Sequence, residues 1–307
     1  MSLVLSTSWN AANFDKAEDM LFEIKELGFT DLELSFNLTA AMVSGISSFL
    51  GGGGFRIRSA HNFCPIPETF KRADALPDCY SMASLDEEER KNALKYAKRT
   101  IAIAGSLGAS AVVLHCGRVQ MPDRTRELID LYRRGLKDTQ EFRSAREEFI
   151  RARASLARPF FEQALRSLEE LNKYAEEKSV DLGVENRFYY REIPNLEELG
   201  VILGKFRPSR VFYWHDTGHA RIMENLGFAG SGEYLRSCGQ TMVGTHIHNV
   251  IGCVDHQAPC NGELDFSELK PYLKKETLKV IEAHQPAAAK DLKKSKALLE
   301  RIFDGIL

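Results

Sequence analysis

The stretch Val211-Phe-Tyr-Trp-His-Asp-Thr-Gly-His-Ala220 decides how this chain is read. Its apolar start predicts a buried strand that ends in Asp216. A tight Thr217-Gly218 step follows and places His219 on the opening turn of the next element. A carboxylate and an imidazole three residues apart, at the C-terminal end of a strand, can face one point. They offer a hard and a borderline donor, a set suited to a divalent metal.

Outward from this strand, similar short runs recur on both sides. Leu3–Ser8, Phe29–Leu34, Phe55–His61, Ala109–His115 and Val180–Glu185 precede it, and Met242–His248 and Leu278–Ala283 follow. Helical spacing lies between them. Ala17, Leu21, Ile24 and Leu27 recur up to Gly28, and Asp86–Leu107 carries Leu94, Ala97, Ile101 and Ala104 on one face. Further helices are expected over Pro194–Leu203, from Asp265 to Leu273, and around Leu292, Leu299 and Ile302. Ala40–Leu50 is a short apolar segment, and the run Gly51–Gly54 is a flexible link or a turn. Asn62–Ser84 and Asn249–Leu264 read as loops. Eight short strands alternating with helices predict an α/β fold, a closed (β/α)8 TIM barrel formed by residues 1–307 as one domain. The alternative is an open doubly wound sheet, but no glycine-rich phosphate loop follows the first strand.

One segment departs from this repeat. Residues 118–158, after the fourth strand, are rich in arginine and glutamate and poor in large apolar side chains. They predict a solvated helical insertion that serves as a lid or as a contact between copies in a homo-oligomer. Its arginines read as a solvated face rather than a phosphate site. The insertion runs into Phe161, Ala164, Leu165, Leu168 and Leu171, a core-facing helix.

Composition narrows the function classes. The 307 residues are 44% hydrophobic, enough for one large core. A formal net charge of −2 gives no global basic excess, which argues against nucleic acid as a partner. The six cysteines form no C-x-x-C pair, the N-terminus lacks the pattern of a signal peptide, and no segment approaches eighteen uninterrupted apolar residues. These features predict a cytoplasmic protein with reduced thiols and no membrane association.

In a barrel of this class the strands' C-terminal ends form the active site. His61, His115, Glu185, Asp216, His246 and Glu282 stand there, with His219 and His256 close behind in loops. Any one of them alone would read as a solvated or satisfied side chain. Six metal-competent groups on one rim point to a single site.

The strings SAHNFCP, VVLHCG, GVENR, HDTGHA, THIHN, HQAPCNGELDF and VIEAH occur in this order. Together they resemble the xylose isomerase-like TIM-barrel superfamily, over essentially the whole chain except the insertion. That superfamily holds sugar isomerases and epimerases, inosose dehydratases and abasic-site endonucleases of the endonuclease IV type. The isomerase and epimerase branch implies one divalent ion (manganese, zinc, magnesium or cobalt) on Glu185, Asp216, His246 and Glu282, and no organic cofactor. It implies a small sugar, polyol or sugar phosphate as substrate and proton transfer through a metal-stabilised enediolate. Glu185 and Glu282, on opposite sides of the ring of strands, would move the proton. His219 would hydrogen-bond a substrate oxygen, and Arg187 would orient substrate or form a salt bridge at the rim.

The endonuclease branch implies three zinc ions, and His61, His115, His219 and His256 match positions that serve as ligands there. One departure stands out. Val254 occupies the position of an aspartate in that branch, and its neighbour Asp255 is shifted by one, out of expected reach. The GELDF and ENR strings look more like the sugar branch. His248, on the same strand face as His246, is a ligand, a substrate contact or a supporting group, and His256 in the loop is a further substrate contact. A dehydratase uses similar proton abstraction, and a non-catalytic sugar-binding barrel is the remaining alternative.

Overall fold

The computed structural model describes residues 2–50, 52, 54–284 and 286–303. Two of the four consecutive glycines, Gly51 and Gly53, lie outside the described residues. In chain order the strands are β1 Val4–Ser6, β2 Asp31–Leu34, β3 Arg56–His61, β4 Ala111–Leu114, β5 Asp181–Glu185, β6 Val211–Asp216, β7 Met242–Ile247, β8 Asn249–Ile251, β9 Val254–Gln257 and β10 Leu278–Ile281. The α-helices are α1 Ala17–Glu26, α2 Ala40–Leu50, α3 Glu87–Ser106, α4 Thr125–Arg133, α5 Gln140–Lys178, α6 Leu196–Lys205, α7 Thr217–Asn225, α8 Glu233–Cys238 and α9 Ala289–Phe303.

Eight strands close into a barrel in the order β1-β10-β7-β6-β5-β4-β3-β2, every neighbouring pair parallel. Strands such as Ala111-Val-Val-Leu114 are apolar throughout because both faces are covered, by the barrel interior within and by helices outside. The interior is filled by Val4, Ala111, Val113, Trp214, Leu278 and Val280. Trp214 takes its place only because β5 and β7 present glycine beside it. A Cβ at Gly183 would lie 2.7 Å from the indole, and one at Gly244 would lie 2.2 Å from it. A larger core lies between the strands and the surrounding helices, with Met20, Ile24, Ile101, Leu168 and Ile202 all buried.

Helix starts follow their caps. Asp86 accepts from the Glu88 and Glu89 amides at the start of α3, and Asn195 and Glu198 form a reciprocal capping box on α6. Asp216 caps α7 through the His219 amide at 2.7 Å. The Thr217-Gly218 step is therefore the first turn of a helix rather than a separate bend.

The insertion differs from its expected form. It is two helices, α4 and α5, and α5 is one continuous helix of 39 residues that runs past Pro159 into the core-facing segment. Its N-terminal half is not solvated all round, since Phe142, Ala145, Phe149, Arg153 and Ala157 are buried. Phe149 packs edge-on against Tyr190 and Phe228. The stretch expected as a loop over Asn249–Leu264 contains a two-stranded antiparallel hairpin, β8 with β9.

Candidate active site

Side chains alternate inward and outward along a strand, so each barrel strand delivers its last inward residue to the C-terminal mouth. On β6, Trp214 fills the interior and Asp216, two residues on, faces the mouth. On β7, Gly244 makes room for the indole and His246 stands above it, its ring 5.1 Å from that of Trp214. Glu185 closes β5, His61 closes β3, His115 follows β4 directly, and Glu282 follows β10 directly. All six residues are buried, and His246 and Asp216 are fully so.

The centre of the mouth is held by Glu185, Asp216, His246 and Glu282, one from each of four neighbouring strands. They offer donor atoms that all lie within 4.8 Å of one another. Nδ1 of His246 is 2.5 Å from Glu185 Oε1, 3.0 Å from Glu282 Oε2 and 3.8 Å from Asp216 Oδ2. Glu185 and Glu282 are thus not across the ring from each other. Only β6 and β7 separate their strands, and both carboxylates converge on one imidazole. On the other side of that ring, Nε2 meets Glu33 Oε1 at 3.0 Å, and Glu33 also accepts from Ser59 Oγ at 2.8 Å.

Four buried carboxylates around one imidazole carry more negative charge than a dry site tolerates without a cation. The groups respond accordingly. Burial pushes the His246 imidazole down, but Glu282, Glu33 and Glu185 outweigh it and hold its pKa well above the usual histidine range. Burial pushes the Glu185 carboxyl up, yet His246 and His115 hold it well below the usual carboxylate range. Asp216 is also raised by burial and is brought down to about 2 by His219 and His248. Hard oxygens with one imidazole fit a divalent cation, so this donor set can hold one.

Two further groups flank this centre. His61, His115 and Glu185 gather donor atoms within 4.8 Å, as do Asp216, His219, His248 and His256. His115 bridges Glu185 Oε2 at 2.7 Å and Asp78 Oδ2 at 3.2 Å. His248 Nε2 lies 2.9 Å from Asp216 Oδ1, and its ring stacks on His256 at 4.2 Å. His284 stacks in turn on His256 at 3.8 Å. Gly218 is required here, because a Cβ would fall 2.1 Å from the His248 ring. Asp255 belongs to none of these donor groups but packs beside one of them. It lies 2.9 Å from His256 Nδ1 and 3.8 Å from His219 Nε2, while Val254 points to solvent.

Arg187 is buried at the wall of the cleft. It ion-pairs with Glu185 at 2.6 Å, Glu192 at 3.4 Å and Asp78 at 3.5 Å, so the salt-bridge role is present, and it also lines the cleft where a substrate would lie. The cleft above the centre has a volume of about 930 Å³ and takes its walls from α4, from the loop carrying Leu76, Pro77 and Asp78, and from the β8–β9 hairpin. Asn186 ties the ends of β5 and β6 together: its amide donates to the Asp216 carbonyl at 2.9 Å and accepts from the Asp216 amide at 2.8 Å.

Glu33, Asp78, Glu192 and His284 were not among the residues expected at the site. Glu33 left a signal, since Asp31-Leu-Glu-Leu34 places a charged residue on an inward position of a short strand. Asp78 left none, because a loop residue's position depends on packing that no local spacing encodes.

Solved structures with similar folds span the whole chain. A D-tagatose 3-epimerase-like protein is 19% identical, with a TM-score of 0.69 over 100% of this chain and 98% of its own. A D-psicose 3-epimerase from Clostridium cellulolyticum H10, solved with D-tagatose, is 15% identical, with a TM-score of 0.67 over 99% of both chains. The IOLI protein, solved with a zinc atom, is 12% identical, with a TM-score of 0.68 over 100% of this chain and 99% of its own. At these identities the likeness is one of fold. No curated protein sequence matches this one. The family model for the xylose isomerase-like TIM barrel matches residues 21–302, and the chain belongs to that family.

Proposed function

We propose that the protein is a divalent-metal-dependent isomerase or epimerase of a small sugar, polyol or sugar phosphate. The observation that carries this reading is the convergence of two glutamates, Glu185 and Glu282, with Asp216 on one imidazole at the floor of a cleft of small-molecule size. A cation held by Glu185, Asp216, His246 and Glu282 would supply Lewis acidity, lowering the pKa of a C–H bond beside a carbonyl.

The protein's own groups divide the remaining work. Glu185 is locked, with one oxygen on His246 and the other on His115 and Arg187. Glu282 engages His246 and approaches His256 through Oε2, and its side chain lines the cleft. Glu282 is the better placed of the two to take a proton from substrate carbon. In isomerisation Glu282 gives the same proton back to the neighbouring carbon; in epimerisation Glu185 would enter the cycle protonated, deliver its own proton to the carbon and leave Glu282 protonated, so the two carboxyls exchange roles with each turnover. His219, fixed by the Asn186 carbonyl at Nδ1, turns Nε2 to a substrate oxygen. Arg187 fixes the Glu185 carboxylate and closes the wall against water.

The test combines metal content with turnover. Elemental analysis of protein purified without chelator should give about one divalent ion per chain, and a panel of ketoses and ketose phosphates should yield turnover that Glu282→Gln abolishes. Unchanged turnover in that variant would sink the reading. The flanking groups favour a second reading, a multinuclear zinc phosphodiesterase, because they add two more gatherings of donors to the central one. Two to three zinc ions per chain and incision of an abasic-site duplex would move it to the front.

A further inference from the structure

We propose that Arg118, Arg126 and Arg133, the arginines through which the insertion faces the cleft, form a subsite for a phosphate group, so that the substrate is a phosphorylated sugar or polyol. This deepens the isomerase reading and rests on it for the identity of the rest of the substrate.

The arginines of the insertion sort by position. Arg124, Arg134, Arg151, Arg153 and Arg158 each pair with a carboxylate, and five of these six pairs, all but Arg153–Glu198, join residues of α4, α5 and the caps of α4. Arg118, Arg126 and Arg133 line the cleft, and among the described residues none of them pairs with a carboxylate. Arg118 reaches only the Asp78 carbonyl, at 3.4 Å. Arg126 donates to the Tyr189 hydroxyl at 2.7 Å. Away from the cleft, Arg143 donates to the Asp138 carbonyl, so an unpaired arginine alone is not the signal. What marks the three is that they line one cleft, and two of them, Arg126 and Arg133, share one of its walls.

That wall is built by helix geometry. Arg126, Ile129, Asp130 and Arg133 all line the cleft, at the i, i+3, i+4, i+7 spacing that makes one face of α4. The acids beside them are committed elsewhere. Asp123 caps the Thr125 amide at 3.1 Å, and Asp130 lies 3.7 Å from Arg134. Among the described residues Arg126 and Arg133 thus have no carboxylate within ion-pair distance, whereas Arg118 also acts on the Asp78 carboxyl, so the two arginines of α4 offer most of the charge that a ligand would meet. A phosphate monoester carries nearly two negative charges at neutral pH and accepts the paired N–H donors of a guanidinium. The same cavity contains Glu185 and Glu282, so one small molecule can meet both walls.

The geometry also favours a small phosphate ester over a nucleic acid strand. The cleft of about 930 Å³ suits a single small ligand. The β8–β9 turn lies close to α4, where a Cβ at Gly252 would come 3.6 Å from the Tyr132 ring.

The test is calorimetric titration of inorganic phosphate into the metal-loaded protein at low salt. Wild type should bind, and Arg126→Gln/Arg133→Gln should weaken binding by about tenfold or more, the loss expected for charge-assisted hydrogen bonds. Arg158→Gln, whose partner Glu162 lies away from the cleft, is the control and should bind as wild type does. Glu282→Gln separates the two walls. If that variant loses phosphate while the double arginine variant keeps it, phosphate sits at the metal centre and the proposal is overturned. Absence of phosphate binding to the wild type overturns it as well. Because this readout is binding, failure of the isomerase reading shows separately, as arginine-dependent phosphate binding without turnover of any ketose phosphate. If the double variant instead loses affinity for an abasic-site duplex and none for phosphate, the small-ester assignment falls.

Discussion

Glu33 shows how a residue that need not touch substrate can govern the site. Its Oε1 sits 3.0 Å from His246 Nε2 and turns the opposite nitrogen of that ring to Glu185, Asp216 and Glu282. Supporting partners of this kind fix ring orientation and tautomer, and their loss costs about 10–100-fold in metal affinity. Glu33→Gln should therefore weaken metal binding by that factor, measured by competition with a chromophoric chelator, while the thermal melt of the metal-free protein shifts little. Equal metal affinity in the variant would show that His246 needs no partner. The contrast between Glu33 and the central residues explains what was legible at this scale. Glu185, Asp216 and His246 each stand at or next to the last residue of a strand, where position alone assigns a polar side chain to the mouth. Glu33 holds the same next-to-last position as His246, but its strand is four residues long and alternates charged and apolar side chains, so its signal was weaker than that of a histidine closing an apolar run. Asp255 shows how the backbone decides a contact that spacing does not. It is one residue off the expected position, but His256 adopts φ of +52°, and the backbone of the hairpin brings the Asp255 carboxylate onto the His256 ring.

Among the elements, α5 carries the largest surprise, and its buried arginine gives the sharpest prediction. Arg153 is 2% exposed. It makes a two-pronged contact with Glu198 on α6, at 2.9 and 2.7 Å, and donates to the Glu192 carbonyl at 2.8 Å. Glu192 in turn pairs with Arg187 beside the centre, so α5 is tied through α6 and this loop to the site. Removing one partner of a buried pair strands the other charge, at a cost of about 3–5 kcal/mol. Arg153→Ala should destabilise by that order in denaturant unfolding, and adding Glu198→Gln should recover part of the loss. If the two substitutions simply add, the pair is not the source of the effect. The same arginine explains why the insertion reads as solvated. The buried stripe Phe142, Ala145, Phe149, Arg153, Ala157 and Phe160 keeps helical spacing, but one charged and two small residues dilute it below what composition reveals. Barrel strands such as Ala111–Leu114 had no such dilution, and their apolar runs announced them.

For the molecule as a whole, the barrel brings four candidate ligands from four separate strands, β5, β6, β7 and β10, to one point. A cation there would cross-link the C-terminal rim across the sheet. Without it, Glu185, Asp216 and Glu282 converge on the His246 imidazole and lean on His115, Arg187 and His248 around it. Metal binding at these groups would therefore be coupled to folding. A ligand that binds the folded chain alone adds RT ln(1 + [M]/Kd), about 2.7 kcal/mol at a hundred times Kd. For a chain of this size that raises the melting temperature by on the order of 5 °C. Dialysis against chelator should lower the melt by that amount, and restoring manganese, cobalt or zinc should bring it back in order of affinity. Asp216→Asn, which keeps the side chain's shape but removes a charge from the centre, should lose most of the metal-dependent shift. A melting temperature that stays the same after elemental analysis has shown the metal to be gone would mean that these four side chains do not form a cation site, and the proposed chemistry would fall with them.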